Sequence, residues 1–465
     1  MTSTAKGPAK QARVIQLEEA LARSGTESFD AFARHVSPVG ASLLRRANLD
    51  KRYTRAEGLY LYDDAGRRYM DLTAGFGALS LGHNPAEVLE AIRRVRSLPT
   101  LLLMGYSPLK GALAETLAAL LPGELSLACF GNGGAEAVEL SLKTARAATG
   151  RHRILFCDGA YHGLSFGAMS VSGGPRYRET FGPLLEHCTS VPFGDLAALG
   201  EQLKSGDVAA FIVEPVQGEG GAVIPPQGYL AAAADACRAH GALLIVDEIQ
   251  TGFGRTGRLF AIEHDSVVPD MILLSKSLSA GVVPASVCVT TRPIWERAFG
   301  SRDRFDLIIS TFGGNPAACA ASLKSIEITL RDDLVGRAET LGQHARARLE
   351  ELARRHETVK AIRGRGLLLG IELTPPASVS ALGMKEDYVP LLSSCLLNDH
   401  GILTTHFDLA PQVLRFEPPL IVTREQIDEA VDALDCVLGL GAGRLTLSLG
   451  KGTFARMLHK NEGVS

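Results

Sequence analysis

The 465-residue sequence lacks the features that mark membrane, secreted or nucleic-acid-binding proteins. No apolar run approaches the roughly 18 uninterrupted residues that a membrane span needs. Residues 1–16 are polar and lack the apolar core of a secretory signal. Lysine and arginine total 48 against 51 aspartates and glutamates, so the net charge of −3 gives no reason to expect nucleic acid or an anionic membrane as a partner. We therefore expect a cytoplasmic protein with neither of these partners.

The cysteines form no recognisable pattern. All eight are scattered, with no CxxC pair and no Cys/His cluster, so the sequence predicts neither a metal site nor a disulfide framework. Most of them lie in apolar runs, which predicts buried thiols. Glycine is abundant instead, and many of the 49 glycines fall in tight motifs, which favours close approach of a ligand to the backbone. The length allows more than one domain.

Two short apolar runs each end in one ionisable residue. Residues 242–246 (ALLIV) precede Asp247, and residues 271–274 (MILL) precede Ser275 and Lys276. Such runs are typical of strands in a covered parallel sheet, and ligands bind beyond the carboxyl ends of those strands. We therefore expect Asp247 and Lys276 to face one pocket.

This pairing of a carboxylate with an amine has two interpretations. A structural salt bridge is the commoner role of an Asp and Lys pair in a partly dry cleft. Alternatively, a lysine kept out of water favours its neutral form and can attack an aldehyde, while an aspartate can hold a pyridinium nitrogen protonated. Pyridoxal phosphate chemistry needs these two protein groups most, so the flanking motifs decide between the interpretations.

The order of apolar segments predicts an α/β protein. Between residues 112 and 274, predicted strands and helices alternate, which indicates a mainly parallel, doubly wound sheet with helices on both faces. After Pro316 the sequence becomes helical, and it ends in short strands and a helix at 424–438, which indicates a smaller α+β domain. The expected division is an N-terminal arm with part of the small domain (1–75), a large cofactor-binding domain (76–330), a C-terminal small domain (331–445) and a tail (446–465).

Three motifs follow predicted strand ends. In FGNGGAEA (130–137), a strand passes through a glycine pair into a helix, which suits an anion at the helix N-terminus, although any tight strand-to-helix turn has the same pattern. In AYHG (160–163), Tyr161 either stacks on a flat ring or packs in the core, and His162 by itself is typical of a structural histidine. EPVQGEGG (214–221) also follows a predicted strand, and it places two carboxylates and an amide at the same edge of the predicted sheet.

These motifs, with VDEIQTGFGRTG (246–257), STFGGNP (310–316) and LRFEPPL (414–420), resemble the class III, ornithine/4-aminobutyrate type of pyridoxal-phosphate aminotransferase. The resemblance runs from about residue 29 to residue 438 and is strongest to putrescine (diamine) aminotransferases. It implies a fold type I transferase, with a large domain around a mainly parallel central sheet and a smaller α+β domain from both chain ends. It also implies pyridoxal 5′-phosphate as cofactor, a homodimer, and ping-pong transfer of a terminal amino group between an ω-amine or diamine and 2-oxoglutarate or pyruvate.

The resemblance assigns five residues to the cofactor ring. Lys276 would bind the cofactor covalently and then act as acid and base in the proton shift. Asp247 would pair with the pyridine nitrogen, and Gln250 would hydrogen-bond the phenolic oxygen. Tyr161 would stack on the ring, with His162 beside it.

The resemblance also implies a phosphate site. Gly133, Gly134 and Ala135 would surround the phosphate with backbone donors, Thr311 would reach it from the partner subunit, and Glu214 would support the site. The family's usual Asn-Ser-Gly-Thr loop is Asn-Gly-Gly-Ala here, so two hydroxyls are missing. A lost hydrogen bond to a charged group is worth roughly 1.5 to 3 kcal/mol, which predicts looser but persistent cofactor binding.

At the substrate end, Arg415 resembles the family's carboxylate-binding arginine, and Glu219 resembles the gate that pairs with it when the bound end carries no carboxylate. Phe76 would line the pocket. Two departures bear on the substrate: residues 277–283 (SLSAGVV) differ from the family's usual loop, and residues 101–109 (LLLMGYSPL) are apolar, as in either a dimer interface or an entrance for a long apolar substrate. Three alternatives stay open. They are an aminotransferase of a specialised biosynthetic pathway that aminates an aldehyde or ketone with an amino acid donor, an aminomutase, and a cofactor-binding protein without turnover.

Overall fold

The computed structural model describes residues 14–47, 49–102, 105–381 and 383–440. The expected tail (446–465), the first 13 residues of the expected arm, and residues 103 and 104 of the apolar segment lie outside these ranges. The strands within the described residues are β1 (Tyr53–Glu57), β2 (Tyr60–Asp63), β3 (Arg68–Asp71), β4 (Leu125–Gly131), β5 (Arg153–Cys157), β6 (Cys188–Val191), β7 (Val208–Val213), β8 (Leu243–Asp247), β9 (Met271–Leu274), β10 (Ser286–Thr291), β11 (Val359–Arg365), β12 (Leu368–Leu373), β13 (Ile402–Leu403), β14 (His406–Phe407) and β15 (Ala410–Phe416).

The α-helices of the same residues are α1 (Leu17–Ala22), α2 (Gly25–His35), α3 (Pro38–Arg46), α4 (Ala74–Gly77), α5 (Ala86–Arg94), α6 (Pro108–Leu120), α7 (Gly134–Thr149), α8 (Phe166–Ser170), α9 (Pro175–Thr180), α10 (Leu196–Leu203), α11 (Tyr229–His240), α12 (Arg292–Phe299), α13 (Pro316–Arg331), α14 (Leu334–Arg355), α15 (Ala377–Ala381), α16 (Tyr388–Cys395) and α17 (Arg424–Leu438). Short helical turns of other types cover Ala261–His264, Lys276–Ser279 and Leu396–His400.

The largest sheet has seven strands in the order β4-β10-β9-β8-β7-β5-β6. Its strands are parallel except β10, which is antiparallel to both β4 and β9. The prediction of a mainly parallel sheet is therefore confirmed. The alternating pattern does not predict β10, because residues 275–285 connect β9 to β10 with only the helical turn Lys276–Ser279 and without the α-helix that a parallel crossover usually contains.

Helices cover both faces of this sheet. Every residue of β7 is buried. Phe211 and Val213 pack with Leu230 of α11 in one core, whereas Ile212 belongs to a second core with Val138 of α7. Burial on both faces explains why the central strands are continuous apolar runs and why polar residues follow them only where the strands end.

Both ends of the chain contribute to a smaller sheet. β1, β2 and β3 form an antiparallel meander, and β13 pairs with β3 in parallel, with Ile402 opposite Met70. A third, antiparallel sheet has the order β11-β12-β15-β14 and places Arg415 opposite Gly370. The smaller α+β part that the resemblance implies is therefore present, and it draws on both chain ends.

Helix α14 packs against the third sheet, and α17 packs against α14. Leu349 and Leu352 of α14 and Val431 of α17 are buried in one cluster with Ile371 of β12. Burying each of these side chains contributes roughly 1.5–3 kcal/mol. This core therefore stabilises the sheet that carries Arg415.

Pro38 begins a helix. The sequence predicts a helix at 28–34 that Pro38 breaks, and α2 does end at His35, but Pro38 is the first residue of α3. The missing N–H of proline has no cost in the first helical turn. Ser37 caps α3, because its Oγ accepts a hydrogen bond from the Gly40 N–H at 3.0 Å.

The cysteine prediction agrees with the structure: all eight cysteines are free, and six are buried. Across the four described ranges, no helix is both long and apolar enough to cross a membrane. The same ranges contain no group of three or more His, Cys, Asp or Glu side chains that could hold a metal ion.

Candidate active site

The carboxyl ends of β8 and β9 border one cavity of about 300 Å³. β8 ends at Asp247, and Lys276 follows β9 after Ser275. Because β8 and β9 are parallel neighbours, both side chains emerge at the same edge of the sheet. The residues that line the cavity are Gly134, Ala135, Tyr161, His162, Gly163, Leu164, Glu214, Asp247, Ile249, Gln250, Thr251, Ser275 and Lys276.

Lys276 is held in an unusual conformation and tends toward its neutral form. Its φ of +42° lies in the left-handed region, which costs a non-glycine residue free energy and is often found at functional sites. Desolvation lowers the pKa of Lys276, and the charges of Glu417 and Glu219 oppose that shift only in part. Among the described residues, Lys276 Nζ makes no hydrogen bond and no ion pair, while the Lys276 carbonyl accepts the Gly281 N–H at 3.3 Å. The structure thus shows no salt bridge between Asp247 and Lys276.

Asp247 is fixed by two donors. His162 Nδ1 lies 2.7 Å from Asp247 Oδ2, and the Ile249 N–H donates to Oδ1 at 3.0 Å. Desolvation disfavours a charged His162, but the hydrogen bond and the charge of Asp247 raise its pKa above the ordinary value. His162 Nε2 is buried without a hydrogen-bond partner in the described residues. The carboxylate therefore has a set orientation at the cavity wall.

The loop between β4 and α7 brings backbone donors to the cavity. Gly133 is the N-cap of α7 and supplies no side-chain cap. The Glu136 N–H donates to the Gly133 carbonyl at 2.9 Å, so the N–H groups of Gly134 and Ala135 are the ones that stay available. Gly134 and Ala135 line the cavity, but Gly133 does not. A Cβ at Gly163 would lie 2.6 Å from the Cβ of Ala135, so the AYHG loop packs directly against this helix end. These backbone donors fit a phosphate group, while the alanine methyl adds no hydrogen bond.

Glu214 ties two loops of the cavity together. Its carboxylate accepts hydrogen bonds from the backbone N–H groups of Tyr161 and Gly218, each at 2.9 Å. Burial raises the pKa of Glu214 to about 7. Tyr161 lines the cavity, and its ring meets that of Tyr177 edge-on at 6.3 Å between centroids. Glu214 thus fixes the position of the Tyr161 backbone relative to Gly218.

Gln250 connects the cavity to a buried carboxylate. Its Nε2 donates to Glu417 Oε1 at 3.0 Å and to Oε2 at 3.2 Å. On its other side, a Cβ at Gly218 would lie only 1.9 Å from Gln250 Oε1. The amide is therefore held between the glycine-rich loop and Glu417, and its position leaves no room for a side chain at residue 218.

Arg415 forms ion pairs behind this wall, with its side chain fully buried. Its Nη2 lies 2.8 and 2.7 Å from the two carboxylate oxygens of Glu219, and its Nη1 lies 2.7 Å from Glu417 Oε2. The guanidinium carbon is 4.1 Å from the ring centroid of Phe407 and 4.9 Å from that of Phe76. Such a setting can bind a carboxylate strongly once a paired glutamate moves away.

The charges of this group reinforce one another. Burial alone would raise the pKa of Glu219, but the charges of Arg415 and Lys276 lower it below the ordinary value. Burial alone would lower the pKa of Arg415, yet Glu417 and Glu219 raise it. Both members of the pair are therefore ionised. Phe76, Glu219 and Arg415 do not line the cavity. The expectation that Phe76 lines the pocket is therefore not met in this conformation, since Phe76 is 52% exposed.

Glu417 is a functional candidate that the sequence reasoning did not single out. It is fully buried between Arg415 and Gln250, and it is the fourth residue of the LRFEPPL motif (414–420). Side chains two positions apart in a strand point to the same face. Because Glu417 is two positions after Arg415 at the end of β15, its side chain is expected on the same face as Arg415. This two-residue repeat is the sequence signal that could have identified Glu417.

Thr311 lies away from the cavity of its own chain. It is exposed and lines an apolar groove of about 230 Å³ together with Leu98, Pro99, Leu101, Leu102, Ser107, Pro108, Leu109, Lys110, Gly313, Gly314, Asn315 and Pro316. The preceding residue is nevertheless linked to the loop between β4 and α7, because Asn132 Nδ2 donates to Ser310 Oγ at 3.0 Å. The structure thus places Thr311 apart from the other predicted site residues.

Comparisons with known proteins agree with this chemistry. Residues 45–438 match the family model described as aminotransferase class-III. The aminotransferase PigE of Serratia sp. (strain ATCC 39006) is 34% identical over 475 residues and covers 93% of this chain, which spans 56% of that relative's length. The ornithine aminotransferase from Toxoplasma gondii ME49 is 33% identical, with a TM-score of 0.80 over 90% of this chain and 95% of that one. An (S)-enantioselective omega-transaminase from Thermomicrobium roseum is 32% identical, with a TM-score of 0.81 over 90% of this chain and 98% of that one.

Proposed function

The chain belongs to the class-III aminotransferase family, whose members use pyridoxal 5′-phosphate, and we propose that it transfers a terminal amino group between an ω-amine or diamine and 2-oxoglutarate or pyruvate. The proposed order is ping-pong, so the donor leaves as a carbonyl compound before the oxo acid binds. The likeness to putrescine (diamine) aminotransferases belongs to this proposal. When bound, the cofactor supplies an aldehyde and an electron-withdrawing ring.

The ion pair of Arg415 with Glu219 is the observation from which we infer which amino donors can bind. Because both oxygens of Glu219 contact Nη2 within 2.8 Å, the guanidinium offers no unpaired charge to a substrate. The far end of the pocket then suits an amine whose distal end carries no carboxylate. With Glu219 turned away, the same guanidinium can bind the carboxylate of glutamate or 2-oxoglutarate. One site can thus serve both half-reactions.

Lys276 and Asp247 are the proposed catalytic residues. Lys276 Nζ would hold the cofactor and would accept the proton that leaves the substrate carbon. Its lowered pKa supports this role, because a base must be neutral to accept a proton. Asp247, held by His162 and the Ile249 N–H, presents its carboxylate at the wall, where it can pair with the ring nitrogen.

The proposed cofactor contacts use the residues around these two. We propose stacking by Tyr161 with His162 beside it, a hydrogen bond from Gln250 to the phenolic oxygen, and support from Glu214. The phosphate would lie at the α7 N-terminus, held by backbone donors of Gly133, Gly134 and Ala135. The free N–H groups at this helix end support that placement, since an anion there also gains from the helix dipole.

A second candidate is an aminotransferase that aminates an aldehyde or ketone of a specialised biosynthetic pathway with an amino acid donor. Two observations favour it: the similarity to the aminotransferase PigE is consistent with it, and the loop at 277–283 departs from the family's usual sequence. The residues proposed for the chemistry at Lys276 serve this reaction equally well. The two candidates differ in which amine loads the enzyme.

Loading of the cofactor by separate donors tests the proposal. The holoenzyme is mixed in single turnovers with putrescine, cadaverine, ornithine, 4-aminobutyrate, glutamate, alanine and a long-chain primary amine, and the visible cofactor absorbance is followed. Conversion by diamines and by glutamate supports the proposed function. Conversion by amino acids alone favours the second candidate. Repeated turnover that yields an isomer of the donor without any added oxo acid indicates an aminomutase, because a ping-pong aminotransferase stops after one carbonyl product per site.

We also propose a homodimer in which Thr311 reaches the partner's phosphate site. The apolar groove beside Thr311 supports it, since exposed apolar surface of this kind is typical of interfaces. Mixing a Lys276→Ala chain with a Thr311→Ala chain tests the arrangement. If Thr311 acts across the interface, each mixed dimer regains one intact site and shows activity above that of either variant. Activity that is simply the average of the two variants contradicts it.

The domain division also stands as a proposal: 1–75, 76–330, 331–445 and a tail at 446–465. The position of the sheets supports it. All strands of the seven-stranded sheet lie between Leu125 and Thr291, and those of the third sheet lie between Val359 and Phe416. The pairing of β13 with β3 supports a small domain assembled from both ends.

A further inference from the structure

The guanidinium of Arg415 has two edges with different partners. Glu417 Oε2 contacts Nη1 at 2.7 Å, whereas both oxygens of Glu219 contact Nη2. Arg415 Nε is buried and has no hydrogen-bond partner within the described ranges. Since Nε and Nη2 together form one side of the planar fork, the side facing Glu219 is only half used.

The two glutamates differ in how firmly they are held. Glu417 follows β15, receives the Gln250 amide, and lies so close to the backbone that a Cβ at Gly77 would be 2.2 Å from its Oε1. Glu219 lies outside any strand, in the glycine-rich segment 218–221. Apart from Arg415, its carboxylate contacts the Asp408 N–H at 3.0 Å. The Glu417 carboxylate is therefore enclosed by more groups than the Glu219 carboxylate. The backbone of Glu219 is anchored, since its carbonyl accepts the Leu409 N–H at 3.1 Å, so an exchange at Arg415 requires movement of the Glu219 side chain.

The buried charges also balance only with Glu417 in place. A second guanidinium, Arg255, is buried nearby and donates to the backbone carbonyls of Leu367, Pro418 and Gly77. Burial disfavours its charge, and the charge of Glu417 opposes that effect. The two arginines thus face two carboxylates. A substrate carboxylate that replaced Glu219 at Arg415 would keep this balance, provided that Glu417 stayed.

We propose that Glu417 is a positioning residue that holds Nη1 of Arg415 throughout the reaction cycle, so that the Nε and Nη2 side is exchanged between Glu219 and a substrate carboxylate. The inference rests on the proposed function and specifies its acceptor side: a carboxylate that binds Arg415 side-on through two N–H groups. Glu417 and Glu219, although both are carboxylates on one arginine, then have opposite effects on carboxylate binding. Glu219 competes with the substrate, and Glu417 prepares its site.

Binding of glutarate to the holoenzyme tests this, because glutarate has the carboxylates of glutamate but no amino group that could react. Calorimetry should show tighter binding to Glu219→Gln, which loses the competing charge. Glu417→Gln should bind glutarate about tenfold more weakly, the expected effect of weakening one charge-assisted hydrogen bond. Glu372→Gln is the matched control, since Glu372 pairs with Arg363 on the same sheet outside the cavity, and it should bind as the wild type does.

Kinetics provide a second readout. For Glu417→Gln, KM for glutamate should rise about tenfold while kcat/KM for putrescine stays within about twofold. Glu417→Asp keeps the charge but draws the carboxylate back from Nη1. It should therefore also raise KM for glutamate while leaving kcat/KM for putrescine nearly unchanged. This variant serves as the test if Glu417→Gln does not fold.

Tighter glutarate binding by the Glu417 variants, or equal losses with both donors, would overturn the inference. If the wild type converts with no amine that lacks a carboxylate, the proposed function fails, but opposite effects of Glu219→Gln and Glu417→Gln on glutarate binding still support the role of Glu417. If both substitutions act in the same direction while diamines react, the role of Glu417 fails and the proposed function stands.

Discussion

Replacing Arg415 with lysine tests the division of labour at the far end of the pocket. Removing the charge altogether would leave Glu219 and Glu417 buried and unpaired, at a cost of about 3–5 kcal/mol. Lysine keeps one positive charge between them, so the fold should persist. Lysine lacks the planar fork, however, and cannot hold Glu417 on one side while offering two aligned N–H groups on the other.

The size of the effect follows from the contacts. Binding of glutamate should lose one charge-assisted hydrogen bond, worth roughly 1.5–3 kcal/mol. Since each 1.4 kcal/mol is a factor of ten, kcat/KM for glutamate should fall about 10- to 150-fold. A diamine makes no carboxylate contact, so kcat/KM for putrescine should stay within about threefold.

Single-turnover conversion of the cofactor absorbance with each donor measures both values on one preparation. Arg363→Lys provides the control, because Arg363 also pairs with a glutamate of the same sheet but lies outside the cavity. Equal losses with glutamate and putrescine at an unchanged melting temperature would refute the reasoning. So would unchanged kinetics with glutamate.

Three further predictions follow from the site and its packing. Lys276→Ala should abolish the visible absorbance that covalent attachment gives the cofactor, and a surviving band would exclude the role of Lys276. Gly218→Ala should lower the free energy of unfolding by about 1–3 kcal/mol, because the new Cβ would lie 1.9 Å from Gln250 Oε1. Gly200→Ala in α10, where a Cβ meets nothing within 4 Å, should not be destabilising in the same melting experiment. Burial raises the pKa of Glu248 from 4.5 to about 7, so the unfolded chain ionises first and stability should fall as pH rises through this interval. Glu248→Gln can keep the contacts to Thr251 and the Ile262 N–H and should remove part of that fall, roughly 1–3 kcal/mol between pH 5 and pH 8, while Glu214 keeps the rest. An identical fall in both proteins would contradict it.

The strand ends could be predicted from sequence because burial leaves a simple signature. β8 and β9 are covered on both faces, so their runs contain no polar residue until Asp247 and Ser275, where the sheet ends. Parallel neighbours then bring Asp247 and Lys276 to one edge without further information. The helix start at Gly134 is predictable for the same reason, since glycines between a strand and an amphipathic helix mark a tight turn.

Contacts between distant segments could not be predicted in this way. Glu417 is enclosed by Gln250 and Gly77, which come from separate parts of the chain, and no local pattern joins them. The antiparallel direction of β10 likewise depends on pairing with both β4 and β9. Thr311 shows a further limit, because a residue proposed to act on a second subunit gives no signal in the geometry of its own chain.

The pairing of β3 with β13 bears on how the protein can be made in the cell. The N–H groups of Met70 and Leu72 donate to the carbonyls of Gly401 and Leu403, at 2.7 and 2.9 Å. During translation these carbonyls leave the ribosome long after β3, so one side of β3 stays without its native partner while most of the chain is synthesised. An open strand edge can pair with other nascent chains. Completion of the N-terminal sheet is therefore a late event in synthesis, and chains that stop before residue 402 should be prone to aggregation.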